Sequence, residues 1–242
     1  STMNADGTWK EAENLGAPIN NDGNNAVIGI STDAKTVYLI NVYLPDGKMI
    51  NGLSSSTHTA AGWSFPSEYK IQNYYNDHDD TEMSISGYNN VLISSLQRQD
   101  TEGDKDLYIS FIQADKTWSE PVNMGSNINT ASYEGSPFLA LDNKTLYFTS
   151  SAHPGYGGGD LFVTKRLDDT WKNWSKPQNL GPNINTSKWD GYFNISAVGD
   201  YAYFSSSESA TSKEDIFRIR LTPEMKPDPV AIISGSTTEI NS

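Results

Sequence analysis

Cysteine is absent from the 242-residue chain, which excludes disulfides, thiol catalysis and cysteine-ligated zinc. Histidine is nearly absent: His58, His78 and His153 fall in different parts of the chain, with no His-x-x-x-His spacing for a zinc site. There is no run of about 18 apolar residues and no charged-then-apolar leader, so the segment is expected neither to insert into a membrane nor to carry its own export signal. Positive charge is scarce, 17 Lys and Arg against 30 Asp and Glu, and the net charge is −13. That balance argues against nucleic acid or an anionic membrane surface as partner and favours basic partners or metal ions. No stretch keeps a helical period, and no G-x-S-x-G marks a nucleophilic serine. What is present is glycine (19), aromatic residues (11%) and much Asn, Ser and Thr, the composition of short strands joined by polar turns. It predicts an all-β protein.

The stretch Trp174-Ser-Lys-Pro-Gln-Asn-Leu-Gly-Pro-Asn-Ile-Asn-Thr186 has a near copy at 118–130, Trp-Ser-Glu-Pro-Val-Asn-Met-Gly-Ser-Asn-Ile-Asn-Thr. Trp9, Trp63, Trp118 and Trp174 stand 54, 55 and 56 residues apart, the period of a propeller or an array. Asp33-Ala-Lys-Thr-Val-Tyr-Leu matches Asp142-Asn-Lys-Thr-Leu-Tyr-Phe within these units, and the Trp63 unit diverges most. Each unit reads as four short strands: a at 136–141, b at 145–150, c at 160–166, and d in the Trp segment. Repeated four-stranded antiparallel units of this length predict the blades of a β-propeller. In the repeated motif Trp fills the gap between blades and Pro177, without an N–H, suits an outer edge strand. Gly181 supplies positive φ, Asn183 and Asn185 bond local backbone, and Ile184 anchors the crossover to the next blade.

The motifs W-S-x-P-x-N-L-G-x-x-I-N-T, E-G-S-P-x-L-A-L-D-N-K-T-L-Y-F-T-S and G-Y-G-G-G-D-L-F-V-T-K-R resemble the TolB-like, WD-type propeller repeats of Bacteroidetes-type envelope proteins of the OmpA family. The resemblance covers residues 1–221. It implies a periplasmic, outer-membrane-associated protein in which further domains flank the propeller, with peptidoglycan bound through an OmpA-type domain outside this sequence. Some such relatives belong to type IX secretion and gliding machinery, so the implied partners are outer-membrane or secretion proteins. The first unit departs from the motif, with Asn51-Gly-Leu where Asp106-Leu-Tyr, Asp160-Leu-Phe and Asp215-Ile-Phe stand.

Residues 1–221 are therefore expected to form the propeller, 222–229 a Pro-rich linker, and 230–242 the opening of a following β domain. Ser1–Trp9 aligns with Ser110–Trp118, inside a strand c. Two rings stay open: four blades with Trp9 completing the last, or a native ring of five or six, which the start in mid-strand favours.

Alternation of strand direction puts the d-to-a and b-to-c loops on one face. This places Asp77, Asp79, Asp80 and Glu82 beside Asp100, Glu102 and Asp104, carboxylates that could converge on calcium; solvated loops are the plainer expectation, and no other cofactor is expected. The same face gathers Tyr74, Tyr75, His78, Tyr133, His153, Tyr156 and Trp189 as candidates for protein or sugar contact, with Tyr133 and Trp189 equally suited to covering blade ends. A glycosidase would draw on Asp79, Asp80 and Glu82, but the four arginines, at 98, 166, 218 and 220, make no sialidase-like cluster. The leading expectation is a non-catalytic, protein-binding scaffold; the alternative is a carbohydrate-binding or glycosidase-type propeller.

Overall fold

Tight polar turns such as Asp142-Asn-Lys fold each Trp-spaced unit back on itself, so that consecutive strands pair antiparallel. The computed structural model describes residues 4–196, 199–208 and 214–230. Within them four sheets stand as the blades of a β-propeller. Blade 1 contains β1 (Val27–Ile30), β2 (Thr36–Tyr43) and β3 (Met49–Thr59), and both β4 (Gly62–Trp63) and β5 (Ser67–Glu68) pair with β3. Blade 2 is β6 (Glu82–Ile85), β7 (Val91–Leu96), β8 (Asp106–Phe111) and β9 (Val122–Asn123). Blade 3 is β10 (Glu134–Leu139), β11 (Thr145–Ser150), β12 (Asp160–Lys165) and β13 (Gln178–Asn179). Blade 4 shows β14 (Asp190–Ile195), β15 (Tyr201–Ser206) and β16 (Asp215–Arg220) among the described residues.

The hydrophobic core lies between blades, because each sheet is apolar on both faces and must be covered twice. Trp118 is buried with Tyr38 and Leu53 of blade 1 and Met83 and Leu92 of blade 2. Trp174 is buried among Ile93 and Leu107 of blade 2 and Leu146 and Phe162 of blade 3. Tyr147, Leu161 and Phe193 join blades 3 and 4. The expected Trp wedge is thus formed twice, although Trp118 makes two isolated bridges and Trp174 one, and strand d begins four residues later.

The Asn-x-Gly-x-x-Ile-Asn crossover works as a unit. Asn179 Oδ1 accepts from the N–H of Gly181, which sits at φ +86°, and Ile184 is buried. Asn185 then accepts from Leu161 N (2.8 Å) and donates to Leu161 O (2.9 Å), taking the place of a strand partner. Asn129 does the same at Leu107. Asn183, expected to share this work, makes no side-chain hydrogen bond; its counterpart Asn127 donates to Trp174 O.

Register revises two sequence expectations. Strand a of blade 3 runs 134–139, not 136–141, because a bulge at Ser136 (φ +48°) adds a residue between Gly135 and Phe138. Gly52, not Asn51, stands where blade 3 has Asp160, because Thr36–Ile40 pair with Thr57–Leu53 as Thr145–Thr149 pair with Lys165–Leu161. Among the described residues the Trp9 segment adds no strand to β16, and Trp9 itself stands in an isolated β-bridge. Its ring instead meets Tyr203 edge-on at 6.2 Å.

The stretch read as a linker, 222–229, lies against blade 3. Tyr147 donates to Met225 O, and Asp228 pairs with Lys144 (3.0 Å) and Lys165 (2.7 Å). The expected β element at 230–242 falls outside the described residues, Val230 excepted.

Candidate binding site in the central channel

The first strands of the blades line a channel: β10 packs beside β6 and β14, and β6 beside β1. Strand alternation turns every second side chain of these strands toward a neighbouring blade and the channel. The cavity so formed measures about 1180 Å³ and is lined by β1, β6, β10 and β14 together with the crossover at Asn20 and the β2–β3 hairpin.

Glu82 is the centre of its polar chemistry. Its Oε2 accepts from Ser136 N (2.7 Å) and Ser136 Oγ (2.8 Å), and its Oε1 from the Tyr133 hydroxyl (2.7 Å) and Lys105 Nζ (3.3 Å). The bulge at Ser136 frees that N–H from the ladder and aims it across the blade boundary. Lys105, almost fully buried, also donates to Asp80 Oδ2 at 2.8 Å. Burial pushes the Asp80 carboxyl up, but the hydrogen bond and charge of Lys105, helped by His78, outweigh it and leave the group below its ordinary value. The Tyr133 phenol is pushed strongly up, by burial first and then by the charge of Glu82.

The structure separates the residues grouped from sequence. The two loop classes do share a face: Asp77 N bonds Gln97 O, and Asp104 N bonds Ser132 O. His78 Nδ1 meets Asp80 Oδ1 at 2.5 Å, with Asp104 3.8 Å from Nε2. Asp100 accepts from the Tyr108 hydroxyl, Glu102 and Asp79 point to solvent, and Asp77 is exposed. Asp80 and Glu82 share Lys105 while the other carboxylates lie apart from them, and among the described residues no three acidic or imidazole groups converge as a cation cage.

Most of the aromatic candidates are structural. Tyr74 packs in the core between blades 1 and 2. Tyr75 lies under the Arg98 guanidinium, 4.1 Å from its ring centre, and accepts from Gln99 N. His153 bonds Ile128 O and packs against Phe148 and Phe162. Tyr133 and Trp189 fold over Gly135 and Gly191; a Cβ there would come within 2.0 Å of the Tyr133 hydroxyl and 2.3 Å of the Trp189 ring. Only glycine admits these lids. Tyr156 is 53% exposed on its loop.

Two contributors escaped the sequence reading. Lys105 occupies the place of Gly159 in blade 3, a Lys-for-Gly change within x-Asp-Leu that was legible in the alignment. Tyr192, at φ +53° on the bulge of β14, is 52% exposed in the channel. Its phenol is pushed up to about 12, by burial first and then by Glu82, Glu214 and Asp80.

Fold and site together define a β-propeller with a polar, net acidic central channel. No family model matches the chain, and no curated protein matches it. Solved structures similar to it include a TolB-type protein from Agrobacterium tumefaciens (16% identity, TM-score 0.46), over 79% of this chain and 56% of that one. The periplasmic gluconolactonase PpgL of Pseudomonas aeruginosa matches at 15% identity and TM-score 0.45, over 80% of this chain and 56% of its own. An α-L-arabinofuranosidase from Lactobacillus brevis matches at 13% and 0.47, over 82% and 74%. The chain thus spans little more than half of the first two proteins. At these identities the likeness concerns fold alone.

Proposed function

We propose that the chain is a non-catalytic, protein-binding propeller of the bacterial cell envelope. In this reading it is a scaffold module of a larger periplasmic, outer-membrane-associated protein, with outer-membrane or type IX secretion components as partners. The envelope setting is supported by the resemblance of the repeat motifs. The observation that carries the non-catalytic reading is the occupation of Asp80 and Glu82, two of the three channel carboxylates, which leaves Asp79 without the second free carboxylate that hydrolysis needs. Glycoside hydrolysis needs one carboxyl group free to donate a proton and another free to attack or to activate water. Asp80 and Glu82 share the Lys105 ammonium, and Glu82 accepts four hydrogen bonds. Glu82 is committed to holding blades 2 and 3 together, and Asp80 is held by Lys105 and His78 within blade 2.

The exposed ring of Tyr156, on the face that carries the channel mouth, supports a contact surface, since aromatic residues on rigidly held loops anchor protein interfaces. The test is capture from an envelope fraction of a Bacteroidetes-type bacterium with the proteins identified by mass spectrometry. Recovery of an outer-membrane or secretion component, weakened by Tyr156→Ala, is the expected outcome. Turnover of aryl glycosides that disappears in Glu82→Gln would sink the reading.

A further inference from the structure

The ion triad leaves most of the channel's polar lining unused. Ser84, Phe138 and Asn194 hold the same register position on β6, β10 and β14, opposite Ile93, Tyr147 and Tyr203. Phe138 makes one wall apolar at this level. Ser84 is 8% exposed, opens on the cavity, and its hydroxyl has no hydrogen-bond partner among the described residues. Asn194, Asn20 and Asn51 also line the cavity, and none of their amide side chains makes a hydrogen bond among the described residues. One level up, Tyr192 presents a half-exposed ring whose hydroxyl makes no hydrogen bond among the described residues. Trp189, 5.3 Å away and edge-on, fixes that ring in place.

We infer that the channel is a binding site for a neutral oligosaccharide, seated on Tyr192 and hydrogen-bonded by Asn194, Ser84, Asn20 and Asn51. Each amide offers a donor and an acceptor side by side, the complement of neighbouring sugar hydroxyls. Tyr192 supplies the flat apolar surface on which a pyranose face stacks. Charge selects against the alternatives with an anion. Lys105 is bound to Asp80 and Glu82, while Asp79 lines the mouth without a partner, so phosphate, uronic acids and acidic peptides meet a negative field. The volume of about 1180 Å³ exceeds the roughly 300–1,000 Å³ of drug-sized sites and suits several sugar rings rather than one. This site lies apart from the exposed Tyr156 loop, so the saccharide inference and the protein-partner reading fail independently.

Isothermal titration with cellotriose, maltotriose, xylotriose and chitotriose as probes, and with tetralysine as the counter-probe, tests the assignment. At least one trisaccharide binds; Tyr192→Ala weakens it about tenfold or more, whereas Tyr192→Phe, which keeps the ring, stays within about threefold. Asn194→Ala weakens binding as well, and melting temperatures near the wild type show that the variants fold. The inference is overturned if none of the four trisaccharides binds, if Tyr192→Ala leaves their affinity unchanged, or if tetralysine alone binds.

Discussion

Glu134 and Glu82 both lie where a loop enters the first strand of a blade, yet they do different work. Glu134, in the faithful copy, is fully buried and stays at home: its carboxylate accepts from Thr130 N, Thr130 Oγ and Ser150 Oγ. Asp190 holds Thr186 in the same manner one blade later. Glu82, in the divergent copy, reaches across the boundary to Ser136 and Tyr133 of blade 3 and binds Lys105. The repeated carboxylate shapes a corner within one blade. The divergent one fastens two blades and sets the charge of the channel. The cause is the lysine: where blade 3 has Gly159, a buried ammonium in blade 2 requires nearby counter-charge.

The largest expected effect is that of Glu82→Ala, which leaves Lys105 without one of its two carboxylates and strands the Tyr133 and Ser136 donors. Urea unfolding should show a loss of about 3–5 kcal/mol. Glu134→Ala removes three hydrogen bonds inside one blade and should cost less, about 2–3 kcal/mol by the same measurement. A reversed order would mean that the interblade clasp is incidental. Gly135→Ala should cost about 1–3 kcal/mol by displacing Tyr133, and a double-mutant cycle with Glu82→Gln should show coupling, because Tyr133 joins the two sites.

The pH dependence should separate the corners by sign. Asp80 lies below its ordinary value, so its contribution is complete above the unfolded aspartate value and is lost as pH falls through the folded one. Asp80→Asn should therefore destabilise at pH 7, by under about 1 kcal/mol for so exposed a carboxylate, and converge with the wild type in acid. Glu134 is raised, by burial over the opposing hydrogen bonds from Ser150 and Thr130. Its contribution is present below the unfolded glutamate value and is lost as pH rises through the folded one, so Glu134→Gln should gain on the wild type between about pH 4 and pH 7. Thermal melts across pH check both. Tyr156→Ala, on an exposed loop, should change stability by no more than about 0.5 kcal/mol.

Much of the architecture was legible. The spacing of Trp118 and Trp174 located the wedges, and Gly181 and Asn185 were assigned the turn and the backbone bond they make. The shared face of the d-to-a and b-to-c loops also followed from strand alternation. The channel was harder to read. Asp79, Asp80 and Glu82 were grouped with Asp100, Glu102 and Asp104 as acids, while Lys105, which decides where Asp80 and Glu82 point, passed as one more loop residue. His153 was grouped with the contact candidates because it sits in a loop, yet it packs on Phe148 and Phe162, while Tyr133 and Trp189 take the second of their two expected places, over blade ends.

Composition, repeat period and turn residues are local properties, and they were enough to make this chain an all-β propeller with interblade tryptophans. Which carboxylates are free, which aromatic rings are open and what the channel can hold depended on bulges at Ser136 and Tyr192 and on partners more than fifty residues away. A bulge redirects a side chain through one residue's φ, and a buried ammonium chooses its counter-ions by distance in space. Neither is written in the order of residues along the chain.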